Sequence, residues 1–208
     1  MNCPVVLEDA SKDNSLREEF GLDINSRIVL YHGNLSEGRG LDKLVEAASF
    51  LSSNTYLVVM GSGPLQEGLE IAASMGTIKD KVFFKAPVLP SVLMKYVSDA
   101  DLGVVFFDPV DLNNYLASPN KLFDYLMAGV PVVTSDLPEV RKVVLDNKVG
   151  VMVDEGDSVA IANGINGVLE SKDYADMKLS ARQVALDFYN WGHQSRGLID
   201  GYAGLNCL

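Results

Sequence analysis

The chain has 208 residues, enough for one domain with a full core, because single hydrophobic cores commonly stop growing only beyond about 250 residues. At 48% hydrophobic and 22% charged residues it lies in the soluble globular range and outside the regime of intrinsic disorder. Its 17 Lys and Arg stand against 28 Asp and Glu, and the net charge of -11 repels polyanions, which argues against a nucleic-acid partner.

The first 26 residues are polar and without strong period, and read as a linker ahead of one domain at 27–208. Met1-Asn2-Cys3-Pro4 is not a basic segment followed by an apolar one, and no apolar run reaches the roughly 18 residues of a membrane span, so a cytoplasmic chain is expected. Cys3 and Cys207 lie at the two ends, outside any metal-ligand spacing or CxxC motif. That usage fits a reducing compartment, with a terminus-to-terminus disulfide left open.

From residue 27 onward short β-branched runs alternate with longer segments of helical period. Strands are expected at 27–32, 55–60, 82–85, 102–107, 131–134 and 149–153. Helices are expected between them at about 41–51, 64–75, 90–98, 119–128 and 138–146. Further helices at about 157–170, 173–188 and 191–206 follow the last strand with no strands between them. Right-handed crossovers then give an α/β, Rossmann-like open parallel sheet of about six strands with helices on both faces, plus extra C-terminal helices. Ligands in such sheets sit at the carboxyl ends of the strands.

The segment Ser118 to Val133, SPNKLFDYLMAGVPVV, carries the most chemistry. Ser118 reads as an N-cap hydroxyl and Pro119 as the first helical residue, which leaves the N–H groups of Asn120, Lys121 and Leu122 pointing off a helix end. Free donors and the positive pole of the dipole make that end an anion site, and a lysine in the first turn opposes the dipole unless an anion lies between them. One turn on, Asp124 can accept hydrogen bonds from the vicinal hydroxyls of a ribose.

Gly33-Asn34 opens a glycine-rich turn that runs to Gly40, where Arg39 can fork onto a diphosphate. Gly61-Ser62-Gly63 makes a second turn, for which ligand contact and plain tight-turn geometry are equally good readings. Neither turn completes a dinucleotide fingerprint, because Lys43 and Gln66 stand at the third glycine positions. Asp99-Ala100-Asp101 resembles a metal-binding DxD but precedes a strand, so it falls at the wrong edge of the sheet and reads as helix-end and turn acids. His32, beside Gly33, is a weak candidate for a site contact. Nothing in the chain assembles a metal-ligand set or a nucleophilic triad, so no cofactor or metal is expected.

With these segments in their order, the chain resembles the C-terminal domain of group 1 glycosyltransferases, the family 4 enzymes of the GT-B fold. The resemblance rests on NCP, LYHGNLSEGRGLDKLVEA, VVMGSGPL, KVFFKAPV, SDADLGVV, SPNKLFDYLMAGVPVV, VGVMVDEGD and NWGHQS. It implies a nucleotide-diphosphate sugar donor, retaining transfer without a metal, and an N-terminal acceptor domain across a cleft, with no counterpart in this sequence. It also implies that Arg39 and Lys121 act on the leaving diphosphate, that Asp124 binds the donor ribose, and that the loop Ala86-Pro87-Val88 matches the segment whose backbone meets the base. Gly33, Asn34, Gly61, Ser118, Pro119, Asn120 and Leu122 complete the implied donor site.

The sequence departs from the pattern in two places. Leu116 stands where a first acid touches the sugar, with Asp111, Asn113 or Asn114 as nearby substitutes, and Asn34 stands where the family carries a base. The implied role is synthesis of a polysaccharide or glycolipid, in the second case at the inner face of a membrane, and the domain alone is expected to bind donor without turnover. Two other readings are a non-catalytic sugar-nucleotide or protein-binding module, favoured by the missing acid, and a sugar-nucleotide 2-epimerase-like enzyme.

Overall fold

The computed structural model describes residues 3–7, 12 and 14–205, with side chains to residue 202. The elements run α1 (Ser15–Phe20), β1 (Arg27–Asn34), α2 (Leu41–Ala47), β2 (Thr55–Ser62), α3 (Gln66–Ala73), β3 (Val82–Lys85), α4 (Pro90–Asp99) and β4 (Leu102–Val105). They continue with α5 (Leu112–Tyr115), α6 (Asn120–Met127), β5 (Val132–Thr134), α7 (Pro138–Asp146), β6 (Gly150–Met152), α8 (Ser158–Leu169), α9 (Tyr174–Asp187), α10 (Trp191–Gln194) and α11 (Arg196–Leu205). Asn2, Cys207 and the end of the last expected helix lie outside the described residues, and with them any Cys3–Cys207 bridge.

All six strands pair in parallel in the order β3-β2-β1-β4-β5-β6. This is the doubly wound topology expected from the alternation of elements. The strands are apolar at nearly every position because both faces are covered. One core layer joins Ile28, Leu30, Val58 and Val132 to Leu122, Phe123, Leu126 and Val143, and the other joins Val29, Leu57 and Val104 to Leu44, Leu69, Ile161 and Ile165. Helix starts follow local chemistry: Pro90 and Pro138 sit in first turns, and the Asp157 carboxylate accepts from the N–H groups of Val159 and Ala160 at 2.8 and 3.2 Å. Among the described residues no helix is long and apolar enough to cross a membrane.

Two short helices were not expected, α1 and α5, and the single helix expected at 191–206 is divided into α10 and α11. Residues 14–26, read as linker, include α1, in which Leu16 and Arg17 are buried. The Arg17 guanidinium pairs with Asp99 and, at 2.6 Å, with Asp101, while Asp99 also accepts from the N–H groups of Leu16 and Arg17 at 2.8 and 3.2 Å. Lys12 and Arg27 reach Asp101 at 2.7 and 3.1 Å. Asp99 and Asp101 thus lie at the amino edge of β4, away from the strands' carboxyl ends, and anchor the N-terminal segment to the sheet.

Candidate functional site

The strand order reverses between β1 and β4: β2 and β3 continue to one side of β1, and β4, β5 and β6 to the other. A crevice opens at the carboxyl ends of strands where such a reversal occurs. Here it is lined by the end of β1, the residues after β4, and the start of α6. The seat of α6 is set by Tyr125, whose ring lies over Gly103 of β4 so closely that a Cβ there would stand 2.4 Å from it. The Tyr125 hydroxyl donates to the Leu30 carbonyl at 2.7 Å. A glycine in one strand and a carbonyl on another therefore fix where Lys121 and Asp124 stand.

The start of α6 differs from expectation by one residue. Pro119 occupies the N-cap position with extended backbone, no side chain caps the helix, and Asn120 is its first residue. Ser118 is half-buried and is not the cap. The N–H of Leu122 is already donated to the Pro119 carbonyl at 3.1 Å, and the Leu122 side chain is in the core, so Leu122 presents no donor to the crevice. A proline preceding the helix tightens its first turn in this way, leaving the N–H groups of Asn120 and Lys121 as the end donors.

Lys121 is buried, 9% exposed, and its Nζ lies 3.7 Å from the centroid of the Tyr31 ring and 5.9 Å from that of Phe107. The Arg39 guanidinium stacks on the same Phe107 ring at 3.8 Å and touches the Asn114 carboxamide at 3.4 Å. Lys121 has no hydrogen bond or ion pair among the described residues. Burial first, and then Arg39 nearby, bring its pKa down from 10.5 to about 7, against a smaller opposing pull from Asp124. Two cations thus converge on one aromatic shelf, with no ion pair to either among the described residues.

Asp124 faces the same space from one turn further along α6. Burial raises its carboxyl to about 6, with Lys121 pulling the other way. His32 stands beside it, its Nε2 at 3.8 Å from an Asp124 oxygen. Its ring meets Tyr125 edge-on at 5.0 Å, and burial, then Lys121, hold its pKa down at about 3. The imidazole is therefore neutral.

Beyond His32 lies a cavity of about 350 Å³ lined by Gly33, Asn34, Gly61, Ser62, Pro87 and Val88 among others. Gly61 is obligatory there, because a Cβ would come within 1.9 Å of the Gly33 carbonyl oxygen where β1 and β2 run side by side. The structure thus gathers Arg39, Lys121 and Asp124 about Gly33, Phe107 and His32, beside the cavity lined by Gly33, Asn34, Gly61, Pro87 and Val88, with exposed Asn120 at the start of α6. Leu116 ends α5 and is 50% exposed. Asp111 caps α5 through the Asn114 N–H at 2.7 Å, and Asn114 bridges Arg39 and the Asp108 carbonyl, so both are occupied in holding the loop. Asn113 is exposed.

Tyr31 and Phe107 were not singled out in the sequence, where they read as strand residues. Their position at strand carboxyl ends was the available signal.

Comparison with known proteins was made against this geometry. A family model described as glycosyl transferases group 1 matches residues 26–171. The D-inositol 3-phosphate glycosyltransferase of Xylanimonas cellulosilytica is 30% identical over 96% of this chain and 48% of its own length. Among solved structures, sucrose-phosphate synthase from Thermosynechococcus elongatus superposes with a TM-score of 0.77 at 22% identity, over 99% of this chain and 52% of that one. The Anabaena protein HepE, solved in complex with UDP, gives a TM-score of 0.77 at 16% identity, over 92% of this chain and 52% of that one. The chain spans about half the length of these relatives.

Proposed function

Because the chain belongs to the group 1 glycosyltransferases, we propose that its crevice holds the nucleoside-diphosphate sugar donor, and that this is the donor half of a transferase whose acceptor half lies across the cleft. The observation that carries this reading is the buried Lys121 ammonium beside Arg39, with no carboxylate in hydrogen-bond reach among the described residues. A diphosphate is the anion whose size and charge suit two cations and the free N–H donors of a helix start.

On this reading Asp124 accepts from the ribose hydroxyls and the base occupies the cavity by Pro87 and Val88. HepE was solved with UDP, which supports a nucleotide in the corresponding crevice here. When the glycosidic carbon–oxygen bond to the diphosphate breaks, its electron pair stays on the leaving phosphate oxygen. Lys121, Arg39 and the Asn120 and Lys121 amides are placed to stabilise that charge in a water-poor cleft, a contribution of roughly 3–4 kcal/mol per well-placed donor. Retention at the sugar carbon and independence from metal belong to the same proposal, as does a glycan or glycolipid acceptor reached from the cytoplasm.

A thermal-shift panel of UDP-, GDP- and ADP-sugars tests the reading. Ligand at 100 times its Kd adds about 2.7 kcal/mol of stability, a rise of about 5–10 °C for a domain of this size. The rise should vanish for Asp124→Asn combined with Lys121→Met. A wild-type protein indifferent to all three would overturn it. Leu116 and Asn34, standing where the family carries an acid and a base, favour a second reading as a non-catalytic sugar-nucleotide module. Donor binding with neither hydrolysis nor transfer by the full-length protein would select it.

A further inference from the structure

We propose that His32 is a positioning residue that holds the Asp124 carboxylate open to the ribose diol by donating a hydrogen bond from Nε2. The inference rests on the donor reading above and concerns one residue within it.

His32 lies near the end of β1 and lines the cavity that leads away from the crevice. Its Nε2 is enclosed and has no hydrogen-bond partner among the described residues. Burying a polar atom without a partner is costly, and among the described residues His32 Nε2 shares that condition only with Arg17 Nε and Thr134 Oγ1, neither of which faces the crevice's carboxylate. The nearest carboxylate oxygen belongs to Asp124 at 3.8 Å, less than an ångström beyond hydrogen-bond distance.

The ring cannot travel to close that gap. It is pinned edge-on against Tyr125, which is itself anchored by its hydroxyl on Leu30 and by its fit over Gly103. On this proposal the Asp124 side chain, partly exposed on α6, is the part that moves.

A carboxylate offers about four lone-pair positions. One taken by Nε2–H leaves enough for both ribose hydroxyls. The same bond turns Asp124 away from Lys121, which leaves the ammonium to the diphosphate instead of to an internal ion pair. A neutral imidazole suits this task, since it donates one proton without adding a third positive charge beside Lys121 and Arg39.

The experiment measures affinity for UDP, GDP and ADP and for the 2′,3′-dideoxy form of each, by calorimetry, in the wild type and in H32L, H32Q and D124N. The wild type should prefer the ribose form, and D124N should lose that preference. H32L, similar in shape but without a donor, should lose at least tenfold of the preference while keeping its affinity for the dideoxy form. H32Q, whose amide reaches about as far as Nε2, should recover most of it.

Loss of preference in D124N with full preference kept in H32L would overturn the role of His32 and leave the donor reading standing. An equal loss of affinity for both forms in H32L would overturn it as well, by showing a merely structural role. Failure of the wild type to bind any of the nucleotides would overturn the donor reading itself and this inference with it. Imidazole ¹⁵N shifts of the wild-type complex give a readout independent of the variants: the Nε2–H tautomer is expected, and the Nδ1–H tautomer would refute the bond.

Discussion

Removing the Lys121 ammonium should separate stability from binding. Without ligand the buried cation is held by its place over Tyr31, an interaction worth about 1–2 kcal/mol, and by a weaker pull from Asp124, against a larger desolvation cost. Lys121→Met should therefore raise the melting temperature of the free protein, by roughly 1 kcal/mol or more in stability, while abolishing nucleotide-sugar binding. Calorimetric unfolding and titration of one sample measure both. The pH dependence follows from the same two groups. Asp124 must be ionised to accept from the ribose, so affinity falls as pH drops below its raised pKa of about 6. Lys121 must be charged to meet the diphosphate, so affinity falls as pH rises above its lowered pKa of about 7. Binding of a nucleotide sugar should be strongest between these values, and above pH 7 it should take up a proton, seen as a buffer-dependent binding heat. Lys121, Arg39 and Asp124 were legible in the sequence because each is a charged residue at a helix start or glycine turn, where charge has few structural uses. Tyr31, Phe107 and His32 were harder to read, because an aromatic or imidazole ring near a strand end looks the same whether it faces core or ligand.

At the scale of elements, the alternation of strands and helices was readable because burial on both sheet faces leaves continuous apolar runs, as in Ile28 to Tyr31 and Leu57 to Met60. The exceptions were α1, made by partners distant in sequence, and the short, locally capped α5. α1 is six residues long, with only Leu16 and Arg17 buried, and it stands because Asp99 and Asp101 receive it some 80 residues later, a pairing no local pattern reveals. α5 is four residues held by the Asp111 cap. The first cluster carries a prediction. Arg17→Met removes the ion-pair partner of buried Asp99 and one of the three of Asp101, and should cost about 3–5 kcal/mol in urea denaturation. Burial pushes the Asp101 carboxyl up, but Lys12, the Ile28 N–H and Arg17 outweigh it and hold the pKa below its usual 3.8. A depressed folded pKa gives stability that is present above the ordinary carboxylate range and lost as pH falls through the folded value. The wild type should therefore lose this contribution only in strong acid.

For the molecule as a whole, the reversal of strand order beside β1 decides where a ligand goes, and the crevice there collects charge that the rest of the fold does not need. Doubly wound topology was legible from the order of elements, and the crevice from the rule that ligands sit at strand carboxyl ends. The sugar was not, because Leu116 stands where an acid would contact it and α5 uses Asp111 and Asn114 to hold its own loop. The central claim, that the mouth of β1, β4 and α6 binds a nucleoside-diphosphate sugar, is tested most directly by amide hydrogen exchange of the protein with and without saturating UDP-, GDP- or ADP-sugar. The account predicts protection concentrated at Gly33, Asn34 and residues 120–124 with at least one of them, and no protection there in Asp124→Asn combined with Lys121→Met. Unchanged exchange across those residues with every donor, or protection confined to another face of the sheet, would contradict it.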